Sequence, residues 1–366
     1  MEPAKGRTER ETKRGFASDN CSGAHPLVLE AIARVNDGHQ PSYGADPETA
    51  HLEHLAREEF GPGARIFPML NGTGANVAAL RALANPHQAV ICAETAHLAI
   101  DETAAPEAIA GLKLLGVPTP DGKLDPTLAA SRLADAGDLP HVAWPRVLSI
   151  SQPTEVGTVY RPEEIRALAD FAGGHELLLH MDGARIFNAA ASLGTGLAGA
   201  STDHGVDLLS LGANKNATVF GEAVVFADPE LARGFDVLRK GSLQLASKAR
   251  FVSAQLSALL EAGEGGSASL GIELAGRANE IAGRLGVALS GVDGVEVVQP
   301  VEANIVFITL ALPAARRFAS SWEDNEPLLF ELGELGLVRL VASWDSTEAD
   351  VERATGLVEA ALGRPD

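Results

Sequence analysis

Seven short runs rich in aliphatic and β-branched residues succeed one another between residues 64 and 227: "ARIFPML", "QAVICAE", "KLLGVP", "RVLSIS", "HELLLHMD", "VDLLSLG" and "EAVVFA". Longer segments rich in alanine and leucine separate them, and that alternation predicts a parallel sheet covered by helices, an α/β fold. The stretch "ELLLHM" is apolar at successive positions, as a strand buried on both faces must be. Candidate helices are Gly74 to Ala84 after "NGT", Pro162 to Ala172, and Ser247 to Ala262. Around residues 264 to 269 "GEGGSAS" interrupts a helical stretch, and helix, "VEVVQP", "NIVFITLAL", helix and "LVRLVAS" follow in α+β order. The expected organisation is a large domain over 16–255 and a smaller C-terminal domain over 256–366. Ahead of them lies a loose tail over 1–15, whose mixed charges lack the apolar segment of a secretion signal.

Of the 366 residues, 46% are hydrophobic and 21% charged, a composition that can fill a core. The formal charge of −20 repels a nucleic-acid backbone or an anionic membrane, so neither is expected as a partner. Any anionic ligand must then be held by local cations. The apolar run "ANIVFITLALPAA" is interrupted by proline and falls short of the roughly 20 residues of a membrane helix. Two cysteines, Cys21 and Cys92, cannot build a disulfide framework or a zinc site alone, and they point to the cytoplasm.

Ligands of open α/β sheets sit beyond the carboxyl ends of the strands, so polar residues at those ends carry the functional signal. One run ends in Asn71, Gly72, Thr73 and Gly74 before a helix, where free N–H groups and the dipole favour a phosphate. The P-loop pattern is absent. A second run ends at Asp182, with Arg185 three residues on; a buried carboxylate there must be paired. His180 shares a face with Asp182, but two ligands without a third nearby give no metal site. A third run leads to Lys215 in "LLSLGANKNATVFGEAVVF". A desolvated lysine loses its proton readily and attacks carbonyls. Taken singly, these are equally a capped turn, a structural Asp–Arg pair and a surface lysine. Taken in order, they form the two halves of a pyridoxal phosphate site: a Schiff-base lysine, and a carboxylate that keeps the pyridine nitrogen protonated.

From "SDNCSGAHP" through "PSYGADPET", "NGTGANVAALRAL", "AETAHLAIDE", "HMDGARIFNA" and "SLGANKNATVFGEAVVF" to "VRLVASWDS", nearly the whole chain resembles the low-specificity L-threonine aldolases. These are fold-type-I (aspartate aminotransferase-like) pyridoxal-phosphate enzymes. The resemblance implies that Lys215 bonds the cofactor, that Asp182 meets its ring nitrogen, and that Gly72, Thr73 and the Gly74 backbone hold its phosphate. His97 would stack on the ring. Arg185 and Arg339, with Ser18, would take the substrate carboxylate. Tyr43, and Lys248 or Arg250, would reach a neighbouring subunit's site in a homo-oligomer, either dimers or dimers of dimers. The implied reaction cleaves L-threonine, L-allo-threonine and related β-hydroxy amino acids to glycine and an aldehyde. A related β-eliminating lyase is the alternative, and a silent scaffold has no need of so many desolvated charges. Two stretches depart from the family pattern. Lys215 lies in "GANKNAT" rather than a short "S-K-G" context, and "SISQPTEVGTVY" puts Glu155 where many members have a second histidine. Of the two candidates for removing the hydroxyl proton, His97 is expected to carry more of the step than Glu155, whose pKa would have to be raised by burial.

Overall fold

The computed structural model describes residues 14–134, 141–263, 265–266, 268–322 and 325–363; most of the expected tail, residues 1–13, lies outside them. Among the described residues, seven strands fall on the seven expected runs: β1 (Arg65–Met69), β2 (Ala89–Ala93), β3 (Lys113–Val117), β4 (Pro145–Ser151), β5 (Leu178–Gly183), β6 (Leu208–Gly212) and β7 (Glu222–Phe226). They form one sheet in the order β1-β7-β6-β5-β4-β2-β3. β7 runs against both its neighbours while the others are parallel. Its first residue, Glu222, therefore lies at the same edge as the last residues of β1 and β6.

The sheet is buried on both faces because successive side chains go to opposite layers. Leu209, Leu211, Ala223 and Val225 enter one core, whereas Leu208, Val224 and Phe226 enter the other. Each such aliphatic side chain contributes about 1.5–3 kcal/mol on burial. The helix Gly72–Leu83 follows β1 and is two residues longer at its start than the sequence predicts, because Asn71 caps it by accepting from Gly74 N–H at 2.8 Å. The helix Pro162–Gly174 matches expectation, and the expected Ser247 to Ala262 helix is the shorter Arg250–Leu260.

A second, antiparallel sheet follows in the order β10-β11-β9-β8, with β8 (Glu296–Val297), β9 (Ile305–Ala311), β10 (Leu328–Leu332) and β11 (Leu335–Val341). β10 is the strand that the sequence did not announce. It is an edge strand with mostly exposed side chains, so it lacks the buried periodicity by which the others are read, and a tight turn with Gly333 at φ 66° joins it to β11. Two details bear on the domain division. Phe16 is fully buried in the core of this second sheet and its carbonyl accepts from Val341 N–H, so the start of the chain packs with the C-terminal part. The expected boundary at 255 falls inside the helix Arg250–Leu260, whose Val252, Leu256 and Leu259 belong to the first core.

Candidate active site

The carboxyl ends of β1, β4, β5 and β6 and the start of β7 surround one cavity, lined among others by Gly72, Thr73, Asn76, His97, Glu102, Glu155, Asp182, Arg185, Lys215 and Glu222. Seven of the residues expected from the sequence are thus brought together. β6 ends in Gly212, where a Cβ would run into the Ala184 backbone; glycine lets β6 close against the turn that carries Asp182 and Arg185. Lys215 follows in the next turn, and that turn is held by Glu222, which accepts from the N–H groups of Ala213 and Asn214. The charge of Arg185 and burial both push the Lys215 ammonium below its ordinary pKa, against the pull of Asp19, Asp182 and Glu222. Burial raises Glu222 itself to about 7.

Asp182 is almost wholly buried and fixed at both oxygens: Oδ2 accepts from Asn76 Nδ2 at 2.9 Å, and Oδ1 from Ala184 N–H at 3.0 Å. His180 bonds sideways, to Ser149 at 2.9 Å and Ser210 at 3.0 Å, and burial lowers its pKa to about 4, so the imidazole is neutral. Among the described residues, no three His, Cys, Asp or Glu side chains group as metal ligands.

Arg185 corrects the structural-pair reading. Its partner is Asp19 and not Asp182: Nε donates to Oδ2 at 2.6 Å and Nη2 to Oδ1 at 3.0 Å. Asn304 adds a bond to Asp19 Oδ2 at 3.0 Å. Burial would raise the Asp19 carboxyl, but Arg185 and Lys215 hold it below its ordinary value. One edge of the Arg185 fork is therefore engaged, leaving Nη1 for a ligand. Arg339, on β11, has its pKa lowered by burial and by the nearby Arg185, and its Nε is buried without a hydrogen-bond partner among the described residues. A carboxylate is the partner such a guanidinium lacks.

His97 opens the short helix His97–Ile100. Its N–H donates to Glu155 Oε1 at 2.9 Å, and its Nδ1 lies 3.0 Å from Glu102 Oε1. The hydrogen bond to Glu102 raises the His97 pKa, and although burial opposes it, the charge of Asp182 adds to the rise. Glu155 also accepts from Ser151 Oγ at 2.6 Å; its Oε2 is buried with no partner among the described residues, and burial raises its pKa. Glu155 thus anchors the backbone of His97.

Arg339 and the remaining expected residues do not line the cavity. The Gly74 N–H donates to Asn71 Oδ1 at 2.8 Å, and its missing Cβ makes room for Gln244, which accepts from Leu70 N–H at 2.9 Å. Ser18 caps a 3-10 turn by accepting from Asn20 N–H at 3.1 Å, and Asn20 rather than Ser18 lines the cavity. Tyr43 is half exposed at φ 58°, with Lys240 Nζ 4.7 Å from its ring centroid. Lys248 is exposed, and Arg250 lines a separate pocket with Arg34, Asp46 and Glu48. Asp19, Asn76, Glu102 and Glu222 escaped the sequence reading. A lone Asn on an alanine-rich helix face, or a lone Glu opening the apolar run "EAVVF", was the available signal, because a buried polar group needs partners.

The beta-eliminating lyase family model matches residues 15–313. The chain belongs to this family. Within the family's reach, the low specificity L-threonine aldolase of Pseudomonas aeruginosa is 40% identical over 344 residues, spanning 93% of this chain and 95% of that one. The threonine aldolase of Leishmania major superposes with a TM-score of 0.86 at 28% identity, over 95% of this chain and 99% of that one. Oryza sativa TDC, solved with PLP and tryptamine, gives a TM-score of 0.73 at 16% identity, over 95% and 83% of the two chains, which is a likeness of fold.

Proposed function

We propose that the chain is a pyridoxal-phosphate-dependent lyase that cleaves the Cα–Cβ bond of L-threonine, L-allo-threonine and related β-hydroxy amino acids, giving glycine and an aldehyde. The observation that carries this is the convergence of Lys215, Asp182, the Asp19–Arg185 pair and the His97–Glu102 pair on one cavity. The donor set fits the cofactor. Lys215 offers a partly buried amine with a lowered pKa, Asp182 a carboxylate with both oxygens fixed, and the helix start at Gly72 and Thr73 N–H groups of the first helical turn.

When bound, pyridoxal phosphate supplies a protonated ring that withdraws electrons from the bonds at the substrate Cα. Every other part of the reaction falls to the chain. Asp182 would hold the ring-nitrogen proton. Arg185 and Arg339 would grip the carboxylate and so turn the side-chain bond into the reactive direction. His97 would take the β-hydroxyl proton, while Glu155 and Glu102 fix its backbone and ring. Around this site the chain would divide into two domains after the helix Arg250–Leu260, with residues near Phe16 joining the smaller one. Tyr43, with Lys248 or Arg250, would serve a second copy in dimers or dimers of dimers, in the cytoplasm. Incubating the purified protein with L-threonine and L-allo-threonine tests the reading: acetaldehyde and glycine in equal amounts are expected, keto acid and ammonia would mean β-elimination, and no product from either substrate would refute it.

A further inference from the structure

We propose that Asn76 is a positioning residue that couples the His97 imidazole to the Asp182 carboxylate by way of Glu102. The inference deepens the function proposed above and rests on it. Asn76 lies in the second turn of the helix Gly72–Leu83, 3% exposed, among alanines and leucines. Its single amide nitrogen stands 2.8 Å from Glu102 Oε1 and 2.9 Å from Asp182 Oδ2, so each of its two hydrogens serves one acid. The same Glu102 oxygen faces His97 Nδ1 at 3.0 Å. A chain of three hydrogen bonds therefore runs from the imidazole to the carboxylate that would meet the cofactor ring. It joins the helix of His97, the loop of Glu102, the helix of Asn76 and strand β5.

The chain is delicately balanced. Glu102 Oε2 and Asn76 Oδ1 are both buried without partners among the described residues, so an anionic Glu102 is only half satisfied. Burial and the charge of Asp182 favour protonated Glu102, whereas His97 and Asn76 favour the anion. The other charges bearing on His97 are Asp182, which raises its pKa, and Lys215, which lowers it. Anionic Glu102 keeps the proton on Nδ1 and leaves Nε2 free to accept one, the form needed to take a hydroxyl proton. Without the Asn76 donor, Glu102 keeps its own proton, and His97 loses the charge that makes it basic. The two acids also lose the group that lets them stand side by side.

The test reads the His97 ring directly. Holoenzyme labelled with ¹³Cε1-histidine is titrated by NMR, with the His97 signal identified by His97→Gln. The series comprises wild type, Asn76→Ala, Glu102→Gln and the double variant. Each single change is expected to lower the His97 midpoint by about one pH unit, the usual size of a lost charge-assisted contact. The double variant should lie no lower than Glu102→Gln, because the two residues act through one path. The acid limb of kcat/KM for L-threonine should move with the NMR midpoint. Should Asn76→Ala fail to fold, Asn76→Ser gives the same comparison with one donor retained. An unmoved His97 midpoint, or a shift that adds in full to that of Glu102→Gln, overturns the coupling. Failure of wild type to cleave threonine would count against the proposed function instead, since the ring titration needs no turnover.

Discussion

Replacing Asp19 with Asn isolates the buried, two-bonded ion pair of the site. Asp19 is 1% exposed and the Arg185 side chain 12%. Two charge-assisted bonds, at 2.6 and 3.0 Å, join them. Bonds to charged groups contribute about 1.5–3 kcal/mol each, and removing one member of a buried ion pair costs about 3–5 kcal/mol. Asn keeps the shape and one carbonyl oxygen, so the Asn304 bond and one Arg185 bond can survive, and Asp182 and Glu155 still favour the guanidinium charge. The low end applies, a loss of about 3 kcal/mol, or more than about 100-fold in the unfolding equilibrium. Denaturant unfolding of wild type and Asp19→Asn side by side measures it. The pH dependence has a definite sign. The folded Asp19 pKa is depressed, so its contribution is complete above the ordinary aspartate value of about 3.9 and disappears as pH falls through the folded value. The gap between the two proteins should be constant from about pH 5 to 8 and close below about pH 4. A loss under about 1 kcal/mol, or a gap that closes towards high pH, would refute the argument.

Other changes separate the roles of the remaining residues. Borohydride should fix the cofactor on Lys215, and peptide mapping that found it on Lys240 or Lys248 would reject that residue. Asp182→Asn should keep the cofactor but lose most turnover; near-normal rates would mean another group supplies the charge. Arg339→Lys should raise KM for L-threonine about tenfold or more without releasing cofactor, because a point charge replaces a fork; cofactor loss at unchanged KM would assign Arg339 a structural role. Because Glu102 raises the His97 pKa, kcat/KM should fall as pH drops through a midpoint above the ordinary 6.5. His97→Phe should then be far slower than Glu155→Gln, and the reverse order would exchange their roles.

The strands were legible because burial on both faces of a sheet leaves a continuous apolar run, and "HELLLHMD" and "VDLLSLG" could hardly be anything else. The residues at their ends were legible only in combination: singly Asp182 and Lys215 read as a structural acid and a surface lysine, and their order along the chain, with the resemblance it carries, points to a shared site. What the sequence hid was pairing over long separations. Nothing local joins Asp19 to Arg185, 166 positions away, or Asn76 to Asp182, 106 away. Local spacing therefore offers Asp182 as the partner of Arg185, where the structure has Asp19, and gives no sign that the Asn71 side chain caps the Gly74 N–H. β10 was hidden for the opposite reason, because an edge strand has little to bury.

Charge balance around the cavity bears on how a cofactor and substrate, both anionic, could be held there. On the cavity wall Glu102, Glu155, Asp182 and Glu222 face Lys215, Arg185 and His97, with Asp19 paired to Arg185 behind it, and the whole chain carries −20. Burial reduces the excess at Glu222, whose pKa it raises to about 7, and it raises the Glu155 pKa as well. At the glycine turn little positive charge remains: the Gly74 N–H is taken, and a Cβ on Gly72 would come within 3.9 Å of Glu222 Oε1. A phosphate there is left with the helix start and the N–H groups of Gly72 and Thr73, which together supply only about half a unit of charge. A phosphate dianion needs more. Among the described residues Lys248 and Arg250 do not line this chain's cavity; in the shared site proposed above, a second copy would supply that cation.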